Sequence, residues 1–244
     1  MPACKRSEGI YGEIIEKIKS NRISTTEIAD CLGKTGDMPG LMPVNKGQFK
    51  VGRVFFSYAY NESNWELHEQ VQTVNEDDIV IVEAHNCADR AIFGSLVSKY
   101  ILLYRRASAI VVNGYMRDAH QIIKEDYPIW CKGLTPIGCY NKKNNSPIDG
   151  KVLDSWKKKY EGAIAVCDDG GVVLIQKDNI NQGFLEKLDF IELQEDIWSY
   201  CINTKKWSTF DTVCLKEYLN TELLPKELKD KFETFTSKVN EKNK

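Results

Sequence analysis

The side chains best suited to chemistry fall within residues 83–118 of the 244-residue chain. Glu83 ends an apolar run and is followed by a small-residue turn from Ala84 to Ala88. Gly94-Ser95-Leu96 then opens a helical pattern, and a second apolar run delivers Asn113-Gly114-Tyr115-Met116-Arg117-Asp118. In an alternating strand–helix arrangement both loops can reach the same edge of a sheet. The N–H groups of a helix start near Gly94, Ser95 and Leu96 favour an anion such as a carboxylate, and a glycine there lets the ligand approach the backbone closely. The planar fork of Arg117 can hold a carboxylate at two points. Asp118, its neighbour, can ligate a hard divalent cation that polarises a nearby carbonyl. An isolated Arg-Asp pair is also what a surface ion pair looks like, so the residues alone leave both readings open.

Other candidate chemistries are weaker. Residues 83–118 contain neither a Walker-type loop nor GxGxxG, which argues against a nucleotide site there. His68, His85 and His120 form no HxH or HExxH pattern, and the most suggestive of them, His85, lies on the turn after Glu83. Asp168-Asp169 precede Gly170-Gly171, which is turn chemistry before it is a cation site. Ser57, Ser95 and Ser98 have no GxSxG setting. The five Trp and eleven Tyr are not interleaved with Lys or Arg in a base-stacking strand; Trp198, Tyr200 and Trp207 suggest an exposed patch for a subunit contact.

The elements that position these residues follow from periodicity. Ile10, Ile14, Ile15 and Ile18 are at helical spacing, and Ser24-Thr25-Thr26-Glu27 has the form of a capping box opening a second helix. Four Gly and two Pro in residues 33–47 predict a connecting loop. Residues 49–60 and 78–83 read as strands, 93–104 as a helix, 109–112 as a strand, 119–126 as a short helix and 128–131 as a short strand. Residues 142–151 form a polar loop, and 163–175 spell strand, tight turn, strand. About 60 helical residues follow, ending in a Lys/Glu/Asn-rich tail expected to fray.

The composition, 42% hydrophobic and 28% charged, supports a sizeable core and excludes a disordered or fibrous chain. Thirty-three basic against 35 acidic residues leave a net charge of -2, so no global field calls for nucleic acid or an anionic membrane; direct nucleic-acid binding is not expected. No stretch approaches the roughly 18–20 apolar residues of a membrane helix. The charged N-terminal residues do not read as a secretory signal, so the expected location is the cytoplasm. Eight cysteines without a CxxC pair read as reduced thiols, mostly small core residues.

Taken in order, Ile23 to Gly33, Met38-Pro39-Gly40, Val82-Glu83-Ala84-His85, Arg90 to Gly94, Val111 to Asp118, Tyr127 to Gly133 and Asp168 to Val173 resemble the RraA-like family. The resemblance covers roughly residues 22–190. That family includes the 4-hydroxy-4-methyl-2-oxoglutarate aldolases with oxaloacetate decarboxylase activity and the regulator of ribonuclease E activity A. The resemblance implies an α/β fold, an α/β/β sandwich of swivelling-domain type, with extra N- and C-terminal helices. It places the α/β domain in residues 1–190 and a C-terminal helical extension in 191–244, packed on the same domain or a neighbouring subunit. It further implies a homotrimer or hexamer with the site between subunits. In that site Arg117 binds the carboxylate of a 2-oxo acid, Asp118 holds Mg²⁺ or Mn²⁺, and the amides around Gly94, Ser95 and Leu96 bind the 2-oxo acid end. The metal would stabilise a pyruvate enolate after aldol cleavage or decarboxylation.

The chain departs from the family pattern in three places. Ser95 stands where the aldolases usually carry an acid, with the Gly94-to-Arg117 spacing one residue longer. His120 and Gln121 stand where an acid often follows the arginine. The C-terminal extension is longer, and a third acid from a neighbouring subunit would be Glu192 or Glu195. These departures keep two alternatives open: a non-catalytic regulator of an RNA-processing enzyme, and the same fold acting on a sugar-acid or nucleotide-sugar substrate.

Overall fold

A computed structural model describes residues 9–242; Cys4 and the last two residues of the charged tail lie outside them. Two compact units divide the chain, the first ending at Asn181 and the second beginning at Gln182. Helix α7 (Gln182–Asn203) runs unbroken through position 190, where the sequence suggested a change of domain.

The first unit opens with α1 (Ile10–Asn21), which buries Ile14 and Ile18, and α2 (Thr25–Cys31). The capping box forms: Ser24 Oγ accepts from the Glu27 N–H at 3.3 Å, and the Glu27 carboxylate accepts from the Ser24 N–H at 2.7 Å. The strands are β1 (Met42–Pro43), β2 (Lys50–Tyr60), β3 (Ile79–His85), β4 (Ala109–Met116), β5 (Ile129–Leu134), β6 (Ile164–Asp168) and β7 (Gly171–Ile175). They make one mixed sheet in the order β1-β5-β4-β3-β2-β6-β7. Strands β2 to β5 are mutually parallel, which requires crossovers, and α3 (Trp65–Gln70), α4 (Ser95–Lys99) and α5 (Ala119–Lys124) stand in them. Val80, Val82, Ile110 and Val112 of the sheet pack with Leu67, Ile101 and Ile122 from the crossover segments.

The opposite face is closed by the chain's own hairpin. Strand β2 pairs with β3 over Val54–Tyr60 and antiparallel with β6 over Lys50–Arg53. Strand β2 thus links the parallel strands to the hairpin, and the β6–β7 hairpin folds back to pack over the parallel strands. Ala165, Cys167, Val172 and Leu174 join Ile79, Ile81, Val111 and Trp130 in a second core, and Trp130 Nε1 donates to the Asp168 carbonyl at 2.7 Å. Gly52 sits at the changeover, where a Cβ would come 2.6 Å from the Asp77 carbonyl oxygen. Helix α6 (Gly150–Tyr160) adds Trp156 and Tyr160 to the same core. This is the helix, sheet, sheet layering expected.

One helical expectation needs correction. The segment read as a single helix over 93–104 is five α-helical residues followed by a π-helical turn, Tyr100–Tyr104. Its apolar positions exceed one buried face: Ile101 is buried, whereas Leu96 is 81% and Tyr104 71% exposed.

In the second unit, α7 and α8 (Lys226–Lys242) surround a core of Leu193, Ile197, Cys201, Tyr218, Leu224 and Phe232. Trp198, Tyr200 and Trp207 are half-buried and pack against that core, so the aromatics expected as an exposed patch are instead partly covered by their own unit.

Candidate functional site

The site begins with a strap. After β3 the chain crosses to Ala91, whose N–H donates to Ile137 O at 2.8 Å and whose carbonyl accepts from Cys139 N at 2.9 Å. Ile92 N–H donates to Tyr115 O at 2.8 Å, and Phe93 O accepts from Arg117 N–H at 3.1 Å. Residues 91–93 thus lie between the end of β4 and the segment after β5, and Gly94 is delivered beside Arg117 and Asp118.

Arg117 and Asp118 are exposed, at the C-terminal end of a parallel strand, where open α/β sheets bind ligands. Asp118 has φ 61°, a left-handed conformation tolerated by aspartate, and it leads directly into α5. Its Oδ2 accepts from the Ser95 amide at 2.9 Å and from Ser95 Oγ at 3.2 Å. The anion at the start of α4 is therefore the protein's own carboxylate, and the Ser95 amide that the sequence assigned to a ligand is already engaged. Gly94 has extended backbone, and its small size serves the side chains behind it. A Cβ there would stand 2.7 Å from Asp118 Cγ and 2.8 Å from Arg117 Cγ. Gly138, which the sequence did not single out, plays the same part: its Cβ would come 2.5 Å from Arg117 Nη1. No local signal in that loop marks it, because the contact spans the sheet edge.

Leu96, also placed at the site by the sequence, is largely exposed and lines a groove of about 410 Å³ with His68, Val71, Gln72, Val97 and Tyr100. Partial burial holds the His68 imidazole below its usual value. His120 is exposed on α5, and Gln121 Nε2 donates to Glu125 Oε1 at 2.7 Å. The His85 ring meets Trp156 edge-on, with centroids 5.9 Å apart. Glu192 and Glu195 stand on α7.

Several other sequence candidates are structural. Asp168 accepts from the Thr25 N–H at 2.8 Å and Thr25 Oγ1 at 2.6 Å, and Asp169 accepts from Gly47 N–H at 2.9 Å. Ser57 and Ser98 donate to the backbone carbonyls of Ile81 and Gly94. Glu83 is buried, with one carboxylate oxygen accepting from the Tyr160 hydroxyl and the other from Asn113 Nδ2 at 2.7 Å. Burial and the Glu83 charge push the Tyr160 phenol above the usual tyrosine range. Among the described residues no three His, Cys, Asp or Glu side chains cluster as a metal site, and no helix is long and apolar enough to cross a membrane.

The RraA-like family model, described as Aldolase/RraA, matches residues 25–174. The chain belongs to the RraA-like family. The match contains both the strap and the Arg117-Asp118 pair. Among relatives, the protein DlpA of Legionella pneumophila is 22% identical over 190 residues, 73% of this chain but 30% of DlpA's own length. A protein of Halalkalibacterium halodurans, provisionally named a 4-hydroxy-4-methyl-2-oxoglutarate aldolase, is 26% identical over 164 residues, covering 66% of this chain and 77% of that one. Two solved structures share the RraA-like fold. A protein from Pseudomonas syringae pv. tomato has a TM-score of 0.61 at 20% identity, covering 82% of this chain and 95% of its own. RraAS2 of Streptomyces coelicolor, described as an unusual member of the RNase ES inhibitor RraA protein family, has a TM-score of 0.58 at 20% identity, covering 76% and 96%.

Proposed function

We propose that this chain is a divalent-metal-dependent lyase that cleaves or decarboxylates a 2-oxo acid through a pyruvate enolate. The observation that carries the reading is the Arg117-Asp118 pair, held by the strap and by two glycines at the open end of the sheet in a family that includes aldolases. Arg117 is the carboxylate anchor: its guanidinium lies against Gly138 and can offer paired N–H donors to the substrate's C1 carboxylate. Asp118 has Oδ2 committed to Ser95, so Oδ1 is the oxygen that would take the cation. One carboxylate oxygen suits Mg²⁺ or Mn²⁺ that keeps most of its water and takes further donors from substrate, and no closed protein cage is needed. When bound, such a cation supplies the charge that stabilises the enolate oxygen. In aldol cleavage the C4 hydroxyl gives up its proton and becomes the oxo group as C3–C4 breaks, and in decarboxylation the C4 carboxylate leaves as CO₂; in both the bonding pair stays on the pyruvate fragment as the enolate, which takes a proton at C3 to give pyruvate.

The assembly fitting this reading is a homotrimer or hexamer, with the exposed stripe Leu96, Tyr100, Leu103 and Tyr104 beside the site covered by a neighbouring copy, and the expected compartment is the cytoplasm. The deciding experiment is pyruvate release from oxaloacetate and from 4-hydroxy-4-methyl-2-oxoglutarate with Mg²⁺, Mn²⁺ or EDTA, comparing wild type with Arg117→Ala. Metal-dependent release lost in the variant is the expected result; full activity in Arg117→Ala sinks the reading. Ser95 in place of an acid favours a second reading, a regulator that binds an RNA-processing enzyme without turnover. Metal-independent binding to such an enzyme, with no release above the metal-only background, would select it.

A further inference from the structure

Two arginines from different segments meet at Gly138. Arg117 lies against it so closely that a Cβ on the glycine would come 2.5 Å from Arg117 Nη1. Arg90, at the start of the strap, holds its backbone: Nη1 donates to the Gly138 carbonyl at 3.1 Å. The rest of the Arg90 guanidinium is also engaged. Nη2 donates to the Tyr140 hydroxyl at 3.1 Å, Nε pairs with the Glu62 carboxylate at 3.1 Å, and the group lies 4.5 Å from the Tyr140 ring centroid. Arg117 is the opposite case, since it is exposed and, among the described residues, its guanidinium pairs with no carboxylate. The loop that carries Gly138 is fixed on both sides of it. Ala91 N–H donates to Ile137 O at 2.8 Å, Cys139 N–H to Ala91 O at 2.9 Å, Tyr140 N–H to Glu62 O at 2.8 Å and Asn64 N–H to Tyr140 O at 3.1 Å.

We propose that Arg90 is a positioning residue for carboxylate binding, acting on Arg117 through Gly138; the inference rests on the reading of Arg117 as the carboxylate anchor. A guanidinium grips a carboxylate at two points only when its plane is held close to the productive orientation. Gly138 is the surface against which Arg117 rests, and the side chain that bonds the Gly138 carbonyl is Arg90, so the Arg90 contact sets where that surface lies. Glu62 balances the Arg90 charge, which lets a second guanidinium stand near Arg117 at little electrostatic cost. With its donors spent on Glu62, Gly138 and Tyr140, Arg90 does not compete for the anion, and the substrate carboxylate goes to Arg117. A lysine at position 90 keeps the charge opposite Glu62 but lacks the planar fork that reaches the Gly138 carbonyl and the Tyr140 hydroxyl together.

The test compares Arg90→Lys and Arg90→Ala with the wild-type chain by pyruvate binding in the presence of Mg²⁺ and by turnover of oxaloacetate. The Kd for pyruvate and KM for oxaloacetate should each rise roughly tenfold in both variants, with kcat little changed, as expected when binding geometry is lost. A merely structural role would reduce the active fraction, which reads as a lower kcat at unchanged KM, and that result overturns the proposal. In an Arg117→Ala background, Arg90→Ala should weaken pyruvate binding no further; a full additional loss there would show that Arg90 does not act through Arg117. If Arg90→Ala fails to fold, Arg90→Lys carries the comparison. One readout needs no ligand: the order parameter of the Arg117 Nε–H, from nitrogen relaxation, should fall in Arg90→Lys, and an unchanged value overturns the proposal. Pyruvate binding without turnover, or no pyruvate binding by the wild-type chain, counts against the lyase reading alone, and the order parameter still decides the role of Arg90.

Discussion

Two acidic groups at the ends of neighbouring parallel strands meet opposite fates. Glu83, near the end of β3, is buried beneath α6, and its two oxygens are taken by Tyr160 and Asn113. Asp118, just past the end of β4, is exposed and has one oxygen committed to Ser95. A buried carboxylate with both oxygens satisfied contributes to a fixed fold and is costly to disturb. An exposed one held from a single side can take a ligand. The difference shows that residue type and strand position do not decide which acid stays open to a ligand; what closes over each carboxylate does.

Arg117→Ala should have the largest effect, lowering kcat/KM for the 2-oxo acid by roughly 10²–10⁴ through loss of a bidentate carboxylate contact. Because Arg117 is exposed, the urea midpoint should barely move. Gly94→Ala comes next: the added methyl must displace Asp118 or Arg117, costing about 1–3 kcal/mol in packing strain. Here activity and stability should fall together, and an unaffected activity would show that the pair's geometry is slack.

On the buried side, Tyr160→Phe leaves one Glu83 oxygen without its donor and should cost about 1–3 kcal/mol by urea titration, with kcat/KM near wild type. The same pair has a pH signature. The Tyr160 phenol is raised in the folded state, so its stabilisation is fully present below the ordinary tyrosine value of 10.0 and is lost as pH climbs beyond it. Tyr160→Phe should flatten that alkaline limb. Ser95→Asp, which adds an acid beside Asp118, should change apparent Mg²⁺ or Mn²⁺ affinity by a factor of about 10, read by metal titration. The smallest effect is at His68. Burial lowers its folded value, so the unfolded chain binds more protons and stability declines as pH drops below 6.5; His68→Gln should blunt that slope.

Much of the frame was legible in the residues. The capping box at Ser24, the hairpin at Asp168–Gly171 and the strands at β2, β3 and β4 each have a signal within a few residues, because cap, turn and alternation are local chemistry. The Arg117-Asp118 pair was legible as a candidate for the same reason, and the ordered motifs through residue 173 pointed to the family whose model matches 25–174. Less accessible was the helix at 93–104, where apolar spacing looked like one buried face but leaves Leu96 and Tyr104 in solvent. Periodicity reports an apolar side and cannot say whether the same chain covers it.

Residue types and their spacing single out Arg117 and Asp118 as candidates for an anion anchor and a metal ligand, and lay out the α/β order that carries them. Long-range packing is what brings the Asp118 carboxylate to the Ser95 amide, Gly138 against Arg117, and Tyr160 onto Glu83. Each of these joins segments separated by 21 to 77 positions. Their partners are chosen by strand order and loop crossing, which no spacing along the chain encodes.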